Sequence, residues 1–89
     1  MKQYHLYILQ NTEGDLYIGQ TVDLQERVKR HIQGDGGKYI SDHKGFRLVY
    51  SEKFTLRSAA MKRETQLKKW SRAKKDALIA GDLKKLKKL

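Results

Sequence analysis

At 89 residues the chain is long enough for one domain with one modest core, burying about 60–65% of the surface its unfolded form would expose. It is 38% hydrophobic and 34% charged, polar for a globular domain yet outside the disordered range. It carries no cysteine, which excludes disulfides and thiolate metal sites, and its net charge is +10.

The first apolar stretch follows Met1-Lys2-Gln3 and is broken at Gln10 and Asn11, too short for a signal peptide or a membrane span. The expectation is a soluble cytoplasmic protein. Residues 4–10 (Tyr-His-Leu-Tyr-Ile-Leu-Gln) read as a strand. Residues 11–15 carry turn chemistry, and Leu16-Tyr17-Ile18-Gly19 reads as a second strand, so the pair predicts a hairpin. Asp23-Leu24-Gln25-Glu26 has the form of a capping box, and Leu24, Val28 and Ile32 recur at helical spacing, predicting a helix over 24–33 that Gly34 stops. Residues 34–45 hold Gly34, Gly36, Gly37 and Gly45 and read as a flexible loop. Phe46 to Glu52 predicts a third strand. Thr55 is placed to cap a helix over 56–70 with Leu56, Ala59, Ala60, Leu67 and Trp70 as its apolar stripe. Ser71 is placed to cap a shorter helix ending at Ala80 and Gly81. Residues 1–81 therefore read as one domain, and 82–89 as a basic amphipathic tail. The order β-β-α-β-α-α predicts an α+β fold, a small three-stranded antiparallel sheet flanked by helices.

The charge is one-sided. Residues 1–52 hold seven Lys/Arg and seven Asp/Glu, whereas residues 53–89 hold thirteen and three. Such a block points to a polyanion partner, and nucleic acid is the default one. A solvated basic face that only aids solubility is the plainer reading.

The residues that invite chemistry are Tyr7, the run Tyr17-Ile18-Gly19, Arg27, His31 and Glu64. Together and in this order they resemble the GIY-YIG nuclease superfamily, in particular its small stand-alone members, over roughly residues 3–80. Tyr-Ile-Gly is intact, while His5-Leu6-Tyr7 stands where the family has Gly-Ile-Tyr and keeps only the tyrosine. The resemblance implies a divalent-metal-dependent endonuclease acting on DNA, with Tyr7, Tyr17, Arg27, His31 and Glu64 as its catalytic set and Glu64 as ligand to Mg²⁺ or Mn²⁺. It also implies structure-selective work in repair or recombination, with a separate targeting protein as partner. Two departures stand out. Some members carry Lys after the second motif, where this chain has Gln20. Others use a late Asn, whereas the only Asn here is Asn11. Lys68 or Lys69 is a substitute helper.

The residue types suit the chemistry. A carboxylate is a hard oxygen donor of the kind Mg²⁺ prefers. The plain reading of Glu64 is an ordinary pair with Lys68, but at about 100° per residue it lies beside the apolar stripe rather than opposite it, which argues against that being its whole role. Arg27 and His31 share a helix face at the edge of the Leu24 stripe, where the planar guanidinium fork matches phosphate oxygens and His31 is placed to pass a proton. A structural histidine is the plainer reading of His31. Tyr7 alternates with Leu6 and Ile8 and should face away from them. Its phenolate would be favoured beside Arg27 and a metal-bound water, and which tyrosine acts as base stays open. As ordinary strand aromatics, both tyrosines would need no further role. Gly19 reads as a position where a side chain would crowd the site. Gly19, Lys38, Lys68, Lys69, Arg72, Lys74 and Lys75 are the expected nucleic-acid contacts. The glycines at 34–37 lack the context of a nucleotide-binding P-loop. Trp70 reads as core. A non-catalytic nucleic-acid-binding module of the same fold is the alternative, and an RNA- or ribosome-associated adaptor would need only the basic block.

Overall fold

The computed structural model describes residues 2–27 and 45–88. The expectations for Val28, His31, Ile32 and Lys38 lie outside the described residues. Strands β1 (Tyr4–Gln10), β2 (Leu16–Thr21) and β3 (Arg47–Phe54) form an antiparallel sheet of order β2-β1-β3. A helix α1 starts at residue 24 and is described through 27, α2 is Arg57–Lys68, α3 is Arg72–Ala80 and α4 is Leu83–Lys88. The chain has the expected α+β architecture.

The hairpin forms because Asn11 organises its turn. The Asn11 side-chain oxygen accepts hydrogen bonds from the backbone N–H groups of Glu13 (3.0 Å) and Asp15 (2.8 Å), and Gly14 takes φ +90°. Strand β1 is covered on both faces, since its four central residues Leu6, Tyr7, Ile8 and Leu9 are all buried. Their alternation separates two clusters. Leu6 and Ile8 pack with Leu67 of α2 and Leu78 of α3, whereas Tyr7 and Leu9 pack with Phe46, Tyr17 and Leu24. A bulge interrupts the β1–β3 ladder: Ile8 opposes Tyr50 and Leu9 opposes Leu48, so Val49 is the extra residue. The kink lets the sequence neighbours Val49 and Tyr50 both reach the Leu6–Ile8 cluster.

Capping explains where the helices begin. At α1 the Asp23 carboxylate accepts from Glu26 N–H (3.1 Å), and Asp23 N–H donates to the Thr21 hydroxyl (3.2 Å). At α3 Ser71 accepts from Lys74 N–H, and Gly81 closes the helix in the left-handed region. Helix α2 departs from expectation. Thr55 does not cap it. Its N-cap is Leu56, without a side-chain cap, and Leu56 is 64% exposed rather than core. A leucine at an N-cap precedes the helical rotation that would have turned it inward. Helix α4 docks through Leu86 against the Leu6–Ile8 cluster.

A polar network ties β3 to α2. The Tyr50 hydroxyl donates to Glu52, and Arg63 donates to both Glu52 oxygens and to Gln66. Trp70, half-buried against the core, lies between Arg63 (5.1 Å from ring centroid to guanidinium carbon) and the Lys74 ammonium (4.5 Å). Burial first, then the hydrogen bond to and the charge of Glu52, push the Tyr50 phenol up from 10.0 to about 12. The folded state therefore keeps this proton after the unfolded chain has lost it. The linked stability is complete below pH 10.0 and is lost as pH rises toward about 12. Urea unfolding across that window is expected to show a slope that Tyr50→Phe makes shallower; an unaltered slope would assign the alkaline loss to other groups.

Leu67 is fully buried while Leu56 is exposed. Leu67→Ala is expected to destabilise by about 2–5 kcal/mol, and Leu56→Ala by less than about 0.5 kcal/mol. Equal shifts in the two thermal melts would contradict this placement of the core.

Candidate active site and nucleic-acid interface

The site grows from one cross-strand pair. Tyr7 on β1 is the register partner of Gly19 on β2. A Cβ built on Gly19 would stand 2.5 Å from the Tyr7 hydroxyl oxygen and 2.7 Å from Cζ. The Tyr7 ring thus leans across β2 in space that only a glycine leaves open. Tyr17 shares that face by the two-residue alternation and meets Phe46 edge-on at 4.9 Å between ring centroids.

Three charges converge on the Tyr7 hydroxyl. Burial raises its pKa above the ordinary 10.0. The Arg27 cation pulls the other way, Glu64 adds to the rise and Lys68 again opposes it. Residues from β1, α1 and α2 therefore share one electrostatic neighbourhood. In the protein by itself burial prevails, so Tyr7 is a protonated phenol at neutral pH. The phenolate is expected beside Arg27 together with a metal-bound water; of these, the Arg27 charge is present here and is outweighed by burial.

Glu64 follows from helix geometry. Ala60, Glu64 and Leu67 are spaced by four and three residues and share one side of α2. Ala60 and Leu67 are fully buried, and the Glu64 side chain is 22% exposed. Its carboxylate pairs with the Lys68 ammonium at 2.8 Å, so the plain pairing weighed in the sequence is present alongside the proximity to Tyr7. A partly exposed carboxylate beside a phenol fits the donor chemistry of Mg²⁺ or Mn²⁺, with remaining positions left to water and phosphate oxygens. Among the described residues no group of three or more His, Asp or Glu side chains gathers as a metal cage.

The remaining expected contacts divide. Arg72 and Lys75 line a hollow of about 470 Å³ with Asp15, Leu16 and Tyr17, next to the site, and Arg72 also pairs with Asp76 at 2.9 Å. Lys69 is the exposed C-cap residue of α2. Lys74 is directed onto Trp70, away from this cluster. Asn11 is committed to the hairpin turn. Gln20, where some relatives of the motif carry Lys, lines a second hollow with Lys2, Arg27 and Arg57. Lys2 and Arg57 were missed in the sequence. Each stands at the border of an element, where periodicity assigns no face.

A cross-strand Tyr–Gly pair beneath an arginine and a glutamate from two helices, on a β2-β1-β3 sheet, defines a GIY-YIG domain. The family model described as the GIY-YIG catalytic domain matches residues 3–76, and the chain belongs to that nuclease-type family. It is similar to the UPF0213 protein VNG_2274C of Halobacterium salinarum, at 41% identity over 85% of this chain and 99% of the relative. It is also similar to the UPF0213 protein SSP2268 of Staphylococcus saprophyticus, at 39% identity over 90% and 98%. Among solved structures it resembles the UPF0213 protein BH0048 of Bacillus halodurans (TM-score 0.58, 37% identity, covering 88% of this chain and 83% of that one). The protein EF2693 of E. faecalis is likewise similar (TM-score 0.64, 30% identity, 91% and 86%).

The Tyr7–Gly19 fit is directly testable. Gly19→Ala is expected to destabilise by about 1–3 kcal/mol through overpacking against the buried ring. In a Tyr7→Ala background the same change should cost much less, because the clashing ring is gone. Additive losses in a urea-unfolding double-mutant cycle would show that Gly19 is needed for another reason.

Proposed function

We propose that the chain is a divalent-metal-dependent endonuclease hydrolysing DNA phosphodiester bonds. The observation that carries this reading is the convergence of Arg27, Glu64 and Lys68 on the Tyr7 hydroxyl above Gly19. Phosphodiester hydrolysis needs an activated water in line with the leaving oxygen and relief of charge on the phosphoryl group. Glu64 is the residue that would hold Mg²⁺ or Mn²⁺, which when bound would supply that charge relief. Arg27 receives the scissile phosphate on its planar fork. Tyr7 and Tyr17 share the face on which the water must stand. One of the two orients the water by hydrogen bonding, and the other, as its phenolate, takes the water's proton. The water oxygen bonds to phosphorus as its proton passes to the phenolate, the bond from phosphorus to the 3′ oxygen breaks, and a proton passes to that oxygen from His31.

DNA as substrate fits the basic second half of the chain, where Lys75 and Arg72 border Tyr17. Branched or flapped DNA met in repair or recombination is the substrate class we favour, with targeting by a partner protein in the cytoplasm. Among the described residues no helix is long and apolar enough to cross a membrane. The Glu64–Lys68 ion pair favours a second reading, a non-catalytic DNA-binding module of the same fold, in which Glu64 is structural.

Glu64→Gln separates the two readings. It is expected to abolish Mg²⁺- or Mn²⁺-dependent cleavage of duplex, flapped and branched DNA while affinity for DNA stays near wild type. Arg27→Ala is expected to reduce the cleavage rate by about 10²–10³-fold, the usual effect of removing a preorganised electrostatic group. Cleavage at the wild-type rate by the Glu64→Gln protein would sink the ligand assignment, and purified wild-type protein inert on the whole panel would favour the binding module.

A further inference from the structure

Lys2, Arg27 and Arg57 come from three separate parts of the chain: the residues ahead of β1, helix α1 and the first turn of α2. They line one hollow of about 360 Å³ together with Tyr4, Gln20 and Val22. Among the described residues no carboxylate lines this hollow and no ion pair engages any of its three cations. Like charges brought together repel, so this arrangement stores a local positive potential that an anion would relieve. The lining also has an apolar part, the half-buried Tyr4 ring and Val22, which is 54% exposed.

Arg27 is the shared wall. Its charge acts on Tyr7 on one side, and it lines the cationic hollow on the other. A smaller hollow that also touches Arg27 contains Asp23 and Glu26 and would repel an anion. A polyanionic strand held at Arg27 is therefore drawn toward Lys2 and Arg57 and turned away from the start of α1. We propose that the Lys2–Arg27–Arg57 hollow is a DNA backbone subsite, holding the phosphates that flank the scissile one on a single side of the cut. The proposal rests on the nuclease reading for the position of the scissile phosphate.

The dimensions suit this role. Tyr4 precedes Tyr7 by three residues of strand, about 10 Å at ~3.3 Å per residue. One strand of a duplex advances ~3.4 Å per nucleotide along its axis, so for a duplex lying along β1 the hollow falls within about three nucleotides of the site. Guanidinium and ammonium groups would grip the phosphate oxygens, while Tyr4 and Val22 offer apolar surface to the sugars. Gln20 at the floor supplies a neutral amide able to donate to a phosphate oxygen. Such contacts position the strand and read no sequence.

The test measures binding and cleavage separately. Binding of a short DNA duplex by the Glu64→Gln protein is followed by fluorescence anisotropy across a salt series. Lys2→Gln and Arg57→Gln are added singly and together, and Lys62→Gln on the exposed face of α2 serves as control. Each of the first two substitutions is expected to weaken binding several-fold and to reduce the log–log salt slope by about 0.7–0.9, while the control changes neither. A neutral methylphosphonate placed at single positions should weaken binding within about three nucleotides on one side of the cut. There it should add nothing in the Arg57→Gln background. Unchanged affinity and slope in the Lys2 and Arg57 variants, in a protein that still binds DNA, would overturn the subsite and leave the nuclease reading standing. If the slope changes appear as expected but the wild-type protein cuts no DNA, the subsite is supported as a binding surface and the nuclease reading is removed. Absence of DNA binding by the Glu64→Gln protein would overturn both.

Discussion

A tyrosine in the middle of a three-stranded sheet is the constraint on which this structure depends. Tyr7 sits on the central strand, is 6% exposed, and lays its ring over the backbone of the edge strand. Any side chain at Gly19 would occupy that space. The glycine therefore serves by what it lacks, and its neighbours on β2 offset the weakened strand with Ile18 and Leu16 packed on the opposite face. Because the ring crosses β2, the hydroxyl leaves the packed cluster of Leu9 and Phe46 and meets charges carried by two helices.

Those helices reach the site by different means. Helix α1 is placed by Thr21 and Asp23, which turn the end of β2 directly into a capped helix and bring Arg27 onto the first turn. Helix α2 is placed by Leu67 in the opposite cluster, with Glu64 on the same side of the helix. A carboxylate in that position is half withdrawn from water and needs a partner, which Lys68 supplies one turn later. That ion pair sets the carboxylate against a cation, and the proposed ligand role would exchange Lys68 for a metal ion. The pairing and the proposed ligand role are thus compatible uses of one geometry.

The basic half of the chain is less uniform than its composition suggests. Arg63 is bound to Glu52 and lies over Trp70, Lys74 also lies over that ring, and Arg72 is paired with Asp76. Arg63 and Lys74 thus help to hold β3, α2 and α3 together, whereas the Arg72 pair lies within α3. Lys2, Arg27 and Arg57 have no such commitment among the described residues, and they lie at the opposite end of β2 from Arg72 and Lys75. The two hollows border the two ends of one edge strand, with Gly19 between them. Net charge points to a polyanion, whereas the pairing of individual cations separates those that hold the fold from those left exposed.

The described elements were legible in the sequence because their causes are local, and the candidate site was legible only as a family pattern. Two-residue alternation placed Tyr7 opposite Leu6 and Ile8, Asp23 and Ser71 marked helix starts, and the order of Tyr7, Tyr17-Ile18-Gly19, Arg27 and Glu64 carried the family. Leu56 misled because hydrophobicity alone does not tell a core residue from one at an N-cap, where the chain has not yet entered the helix. The bulge at Val49 and the Tyr50–Glu52–Arg63 network were hidden because they depend on pairing between segments distant in sequence. The protonation of Tyr7 was decided only by the tertiary structure. Arg27 is visible in the sequence as a cation that favours the phenolate, but desolvation depends on how tightly β1 is covered and outweighs that cation here. The sequence determined which chemical groups exist and their order along each element; the packing of two helices against one sheet decided their distances, and with them their charges and their partners.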